Sequence, residues 1–145
     1  MQMGIIGLPK SGKTTVLKAL TRGRVETTGR GRASGKPHLG VAKVPDPRLE
    51  ALAAMFKPER IVPAEVRYMD IPGEAEGARK AKGIGGESLN TLQQTDALLM
   101  VVRAFQDPSV PHQEGSVDPY RDVATMQLEL AYSDLSILER KTERL

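Results

Sequence analysis

A chain of 145 residues, 39% of them hydrophobic and 27% charged, has the composition of a globular domain with one sizeable core and hardly two. It contains no cysteine, which excludes disulfides and thiolate metal sites, and no run of about 18 apolar residues, which excludes a membrane-spanning helix. The net charge of +3 is unevenly spread: residues 1–36 carry eight Lys or Arg against the single acid Glu26, and residues 37–145 carry thirteen against seventeen, so the basic front end attracts phosphates.

Met3–Ile6 is a short apolar run closed by glycine and reads as a buried parallel strand. From Gly12 to about Leu20 the period turns helical, with Val16, Leu17 and Leu20 on one side. The glycine- and arginine-rich residues 21–37 read as a mobile loop, and His38–Val44 as a second strand. Asp46 and Pro47 supply a cap and a first-turn proline for a helix whose Leu49, Leu52, Ala53 and Phe56 share a face, and Pro58 stops it. Ala64–Ile71 alternates into a strand that ends in Asp70-Ile71-Pro72-Gly73. A glycine-rich turn at residues 82–86 precedes a short helix over Glu87–Gln94, and Ala97–Val102, apolar on both faces, reads as an inner strand of a covered sheet. A long helix starts at Pro119 with two apolar stripes, Val123, Met126 and Leu130 beside Leu128, Ala131, Leu135 and Leu138. It reaches Leu145 without a stop signal, so the chain is expected to be the N-terminal piece of a longer protein. A start directly in a strand, with no basic leader, makes the cytoplasm the expected location.

Gly7-Leu8-Pro9-Lys10-Ser11-Gly12-Lys13-Thr14 satisfies the phosphate-loop pattern GxxxxGK[ST], between a strand and a helix as that pattern requires. Glycines let the backbone wrap so that the N–H groups of residues 9–15, Pro9 excepted, converge on phosphates at the positive end of the next helix. Pro9, Lys10, Ser11, Gly12, Lys13, Thr14 and Thr15 are therefore the expected nucleotide-binding residues. Lys13 reaches the β- and γ-phosphates and neutralises charge as they react, and the Thr14 hydroxyl ligates Mg²⁺. Asp70-Ile71-Pro72-Gly73 is DxxG at a strand end: Asp70 is expected to hold the Mg²⁺ through water, and the Gly73 N–H to meet the γ-phosphate. The predicted fold is α/β, a three-layer P-loop NTPase with a mainly parallel sheet and helices on both sides. Residues 1–118 would form the N-terminal part of its nucleotide-binding domain and 119–145 the start of the long helix. A small phosphotransferase, or a binding module that holds nucleotide without turnover, are the alternatives to a hydrolase.

Beyond these motifs, PHLGVAKVPDPRLEALAAMFKPERIVP, KAKGIGGESLNTLQQTDALLMVVRAF and QLELAYSDLSILER resemble the Obg-related, YchF-type ATPases, P-loop NTPases of the translation-factor class. The resemblance implies a nucleotide-binding domain interrupted by a helical hairpin, which the long helix would enter, and a small C-terminal domain beyond. It implies a slow Mg²⁺-dependent switch that hydrolyses a purine nucleoside triphosphate, ATP favoured over GTP, with the ribosome and its RNA as partner. The base-reading N-K-x-D-like motif is absent, since the one asparagine is Asn90 in SLNTLQQ. The family's catalytic histidine falls on His112, and its magnesium-contacting switch residue on Ser34, with Thr27 and Thr28 as alternatives. After DxxG, where relatives carry an apolar residue, Glu74 stands, either to orient water or as a solvated loop acid. Lys10 replaces the usual Asn; its ammonium would supply the charge that potassium provides in potassium-stimulated members, or else point to solvent. Arg22, Arg24, Arg30, Arg32 and Lys36 would meet RNA phosphates or be a solvated loop. No aromatics interleave with them, so base stacking is not expected; sequence-specific DNA binding and a membrane partner are not expected either.

Overall fold

The computed structural model describes residues 1–26, 38–72, 84 and 86–144. Strand β1 (Gln2–Ile6) lies between β4 (Glu65–Asp70) and β5 (Ala97–Met100) and is parallel to both, with Ile5 opposite Asp70 on one side and Leu99 on the other. Strand β3 (His38–Lys43) runs antiparallel along the far side of β4, and the two-residue β2 (Val25–Glu26) antiparallel along β3. The order is β2-β3-β4-β1-β5. Part of the stretch expected as loop is thus a short edge strand, with Val25 paired to Gly40. The strand expected over Ala97–Val102 ends at Met100 and lies at the edge of the described sheet rather than inside it. Apolar residues on both faces report cover above and below a strand; they carry no information about its lateral partners.

The register sorts the side chains into two faces, because residues paired across strands point the same way. Met3, Tyr68 and Gly40 share one face, against which α1 (Lys13–Leu20) packs. Leu17 there is fully buried, and a Cβ on Gly40 would stand 2.5 Å from Thr21 Cγ2, so the glycine sets how closely α1 approaches the sheet. Ile6 and Met100 share the opposite face with Ile71, where Leu92 of α3 (Gly86–Gln93) and Met126 and Leu130 of α4 (Pro119–Thr142) complete the core with Leu8. Helices on both sides of a mainly parallel sheet give the three layers expected.

Helix α4 starts where Asp118, as N-cap, accepts from Arg121 N at 3.1 Å, with Pro119 in the first turn. Its buried residues are Asp122, Met126 and Ser133. Ser133 Oγ accepts from Ile84 N at 2.7 Å, pinning Ile84 to this helix. Of the two apolar stripes, the one through Met126 packs; Leu128, Ala131, Leu135 and Leu138 are exposed. Helix α2 (Pro47–Phe56) begins at the expected cap, Asp46, whose side chain accepts from Arg48 N, and ends at a left-handed Lys57. It buries none of its residues: Leu52 is half exposed and Phe56 is 75% exposed, so the face that these residues share is not covered. No helix among the described residues is long and apolar enough to cross a membrane.

Candidate functional site

Strand β1 delivers the chain at Ile6 into a loop that ends at Gly12, the left-handed N-cap (φ 101°) of α1. The loop is folded hard against the backbone that follows β5. A Cβ on Gly7 would stand 2.2 Å from the Val101 carbonyl oxygen and 2.9 Å from Ser11 Oγ, so only glycine fits. Ser11 N donates to Leu8 O at 3.2 Å, and Lys10 bridges them in the left-handed region (φ 62°) with its side chain exposed. The first intrahelical bond of α1 is Val16 N to Gly12 O, so the amides of Lys13, Thr14 and Thr15 point out of the helix start, its positive end.

Lys13 is buried under this turn, and its Nζ donates to Gly7 O at 2.9 Å and Leu8 O at 3.1 Å. Burial pushes the Lys13 ammonium below the ordinary lysine range, and the Asp70 carboxylate opposes that shift in part. Thr14 Oγ1 donates to Asp70 Oδ2 at 2.6 Å, joining the start of α1 to the end of β4. Asp70 is 5% exposed, and its Oδ1, like Ser11 Oγ, is buried with no hydrogen-bond partner among the described residues. A buried carboxylate oxygen with no donor, beside a threonine hydroxyl, is an oxygen set that suits a hard divalent cation such as Mg²⁺.

Of the residues expected from sequence, the structure brings together Pro9 to Thr15 and Asp70. Gly73, Ser34 and the alternatives Thr27, Thr28 and Glu74 lie outside the described residues, as do Arg30, Arg32 and Lys36. His112 is held elsewhere, in the loop between β5 and α4. Glu114 N donates to its Nδ1 at 3.1 Å, so the ring proton is on Nε2, which lies 2.9 Å from Asp122 Oδ2. Arg121 Nε and Nη2 donate to the other oxygen of Asp122, at 3.1 and 2.9 Å. The same loop is braced by Arg103, 3% exposed, whose guanidinium donates to the carbonyls of Phe105, Asp107 and Val110 and lies over the Phe105 ring. Sequence reasoning missed both Asp122 and Arg103. For Asp122 a signal was present: it stands four residues before Met126, an acid on the apolar face of the helix, and such an acid is buried only when paired.

Residues 2–138 match the sequence model of the family described as 50S ribosome-binding GTPase. The chain is 42% identical to the ribosome-binding ATPase YchF of Haemophilus influenzae over 98% of its own length and 39% of that protein's. It is 38% identical to the ribosome-binding ATPase YchF of Bacillus subtilis over 97% of this chain and 38% of that one. Among solved structures, the YchF GTPase of Schizosaccharomyces pombe superposes with a TM-score of 0.71 at 35% identity, covering 99% of this chain and 38% of that chain. The chain thus spans 38–39% of the length of these curated relatives.

Proposed function

Since the chain belongs to the 50S ribosome-binding GTPase family, we propose that it binds a purine nucleoside triphosphate along Gly7–Thr15 and forms part of a Mg²⁺-dependent hydrolase that acts as a switch on the ribosome. The observation that carries this reading is the junction of Thr14 Oγ1 with Asp70 Oδ2, beside the partnerless Asp70 Oδ1 and the buried Lys13. Thr14 and Asp70, with Ser34 from the segment before β3, would hold the Mg²⁺, which when bound neutralises phosphate charge and orients the reacting phosphoryl group. The amides at the start of α1 bind the phosphate oxygens, and Lys13 exchanges its two carbonyl partners for them. The Gly73 N–H reads the γ-phosphate, and His112 orients the attacking water and takes its proton.

ATP over GTP rests on the name ATPase that the bacterial relatives carry; the fission-yeast relative is called a GTPase. The ribosome as partner, and with it the cytoplasm, rests on the same names. Residues 1–118 would form the N-terminal part of the nucleotide-binding unit, and α4, whose first half packs on its core through Met126 and Leu130, would carry the chain on from it. One observation favours a second reading: both ring nitrogens of His112 are engaged within its own loop and α4, an arrangement that suits nucleotide binding without turnover.

The test is calorimetry of this chain with ATP and GTP, with Mg²⁺ and with EDTA, beside release of γ-labelled phosphate in potassium and in sodium salts. Expected are Mg²⁺-dependent binding and label appearing only as inorganic phosphate. Equal rates in the two salts are expected if the Lys10 ammonium supplies the positive charge itself. Absence of any heat with either nucleotide would overturn the proposal, and label appearing in an organic acceptor would make the protein a phosphotransferase.

A further inference from the structure

We propose that Asp122 is the positioning residue of His112: it fixes the imidazole in the Nε2–H tautomer and leaves Nδ1 as the nitrogen that accepts a proton during hydrolysis. This rests on the reading that His112 takes part in that reaction. The pair is built rather than incidental. The two side chains are 7% and 3% exposed, and their Nε2 and Oδ2 atoms are 2.9 Å apart. Arg121 occupies the other carboxylate oxygen through Nε and Nη2, so Oδ2 is the atom left to the histidine. Arg121 also donates from Nη2 to Ser116 O at 2.7 Å and from Nη1 to Ser116 Oγ at 3.2 Å, which closes the loop back on the helix that carries the acid. The donor on the other side of the ring is a backbone amide, Glu114 N, which can only donate, so Nδ1 carries the lone pair.

The helix also registers this loop to the phosphate loop. Asp122 stands one turn before Met126, and Met126 packs with Leu8, next to Gly7, and with Ile71, next to Asp70. The carboxylate that orients the histidine and the methionine that backs the phosphate loop are therefore on one rigid face. In the reaction the water oxygen bonds to the γ-phosphorus as the bond from that phosphorus to the bridging oxygen breaks, and the diphosphate leaves with the electron pair. The water's proton passes to Nδ1, which gives up the Glu114 amide, and the imidazolium so formed already presents its Nε2–H to the Asp122 carboxylate.

Because the chain has two histidines, His38 and His112, ¹⁵N-histidine labelling resolves the tautomer directly, with His112→Asn assigning the signals. The expected wild-type spectrum has Nε2 protonated and Nδ1 as the bare nitrogen. Asp122→Asn, which can both donate and accept, is expected to mix the tautomers and to lower kcat by about 100-fold. KM, nucleotide affinity and melting temperature should stay close to wild type, and Asp122→Glu should restore part of the rate. A wild-type His112 protonated on Nδ1, or an Asp122→Asn spectrum that matches wild type, overturns the inference without need of turnover. So does a rate loss that only follows loss of stability or of nucleotide affinity. If His112→Asn keeps full turnover, the catalytic reading beneath it fails; if His112→Asn is slow and Asp122→Asn is fast, the inference fails alone.

Discussion

Among the described residues, the Lys13 ammonium is the one cation buried at the phosphate loop, held by two carbonyls with a carboxylate nearby. Its folded pKa lies below the ordinary lysine value, so between the two values the unfolded chain binds more protons than the folded one. Its contribution to stability therefore rises as pH is raised through the folded value toward the ordinary one, and is least favourable below the folded value. A site kept for ligand rather than for stability behaves in this way. Lys13→Met is expected to stabilise the nucleotide-free chain by about 1 kcal/mol, to flatten that rise of stability with pH, and to abolish triphosphate binding. Thermal melts across pH, paired with calorimetry, check all three; a destabilised variant would mean that the two carbonyl bonds outweigh the buried charge. The phosphate loop was legible residue by residue because its chemistry sits in consecutive positions. The His112–Asp122 pair was not, since ten residues and a helix start separate its members and only folding brings them together.

Helix α4 shows what periodicity leaves undecided. Its two apolar stripes lie side by side, and hydrophobicity alone does not choose between them. The polar residues do: Asp122 and Ser133 lie on the side of Met126, each with a partner waiting in a loop, His112 for one and the Ile84 backbone for the other. Met126→Ala is expected to cost about 2–4 kcal/mol by chemical denaturation. It should also weaken nucleotide binding, because Leu8 loses its backing. Leu128→Gln and Leu135→Gln, on the exposed stripe, should each stay within about 0.5 kcal/mol of wild type. A large loss from either would show that the stripe is covered in this chain. In α2 the start and stop were legible because capping is local chemistry, whereas burial of its apolar face was not, since a helical period says what a face is made of and not whether anything meets it.

At the scale of the whole molecule, the candidate site is a seam. Loop, α1 and β4 each supply a part, and Thr14 with Asp70 is the stitch between them. A ligand that bridges the seam should tie the domain together more than any single contact does. A nonhydrolysable triphosphate with Mg²⁺, at a hundred times its dissociation constant, is expected to stabilise the chain by about 2.7 kcal/mol, and EDTA to remove most of that shift. A shift equal with and without the chelator would count against Thr14 and Asp70 as metal ligands. The α/β class followed from strands and helices taking turns along the chain, but the lateral order of the strands did not, because it is settled by pairings between distant segments. That order has a consequence for biosynthesis. Among the described strands, the first made is flanked by those made fourth and fifth, and at roughly 5–20 residues per second β1 waits about 3 to 12 seconds for β4 to be synthesised. The nucleotide loop, translated almost first, has no Asp70 to meet Thr14 until about half of the 145 residues are made, and no Val101 carbonyl to seat Gly7 until about seven-tenths are. A nascent chain stalled before that point should emerge with the motif intact in sequence and unable to grip its ligand.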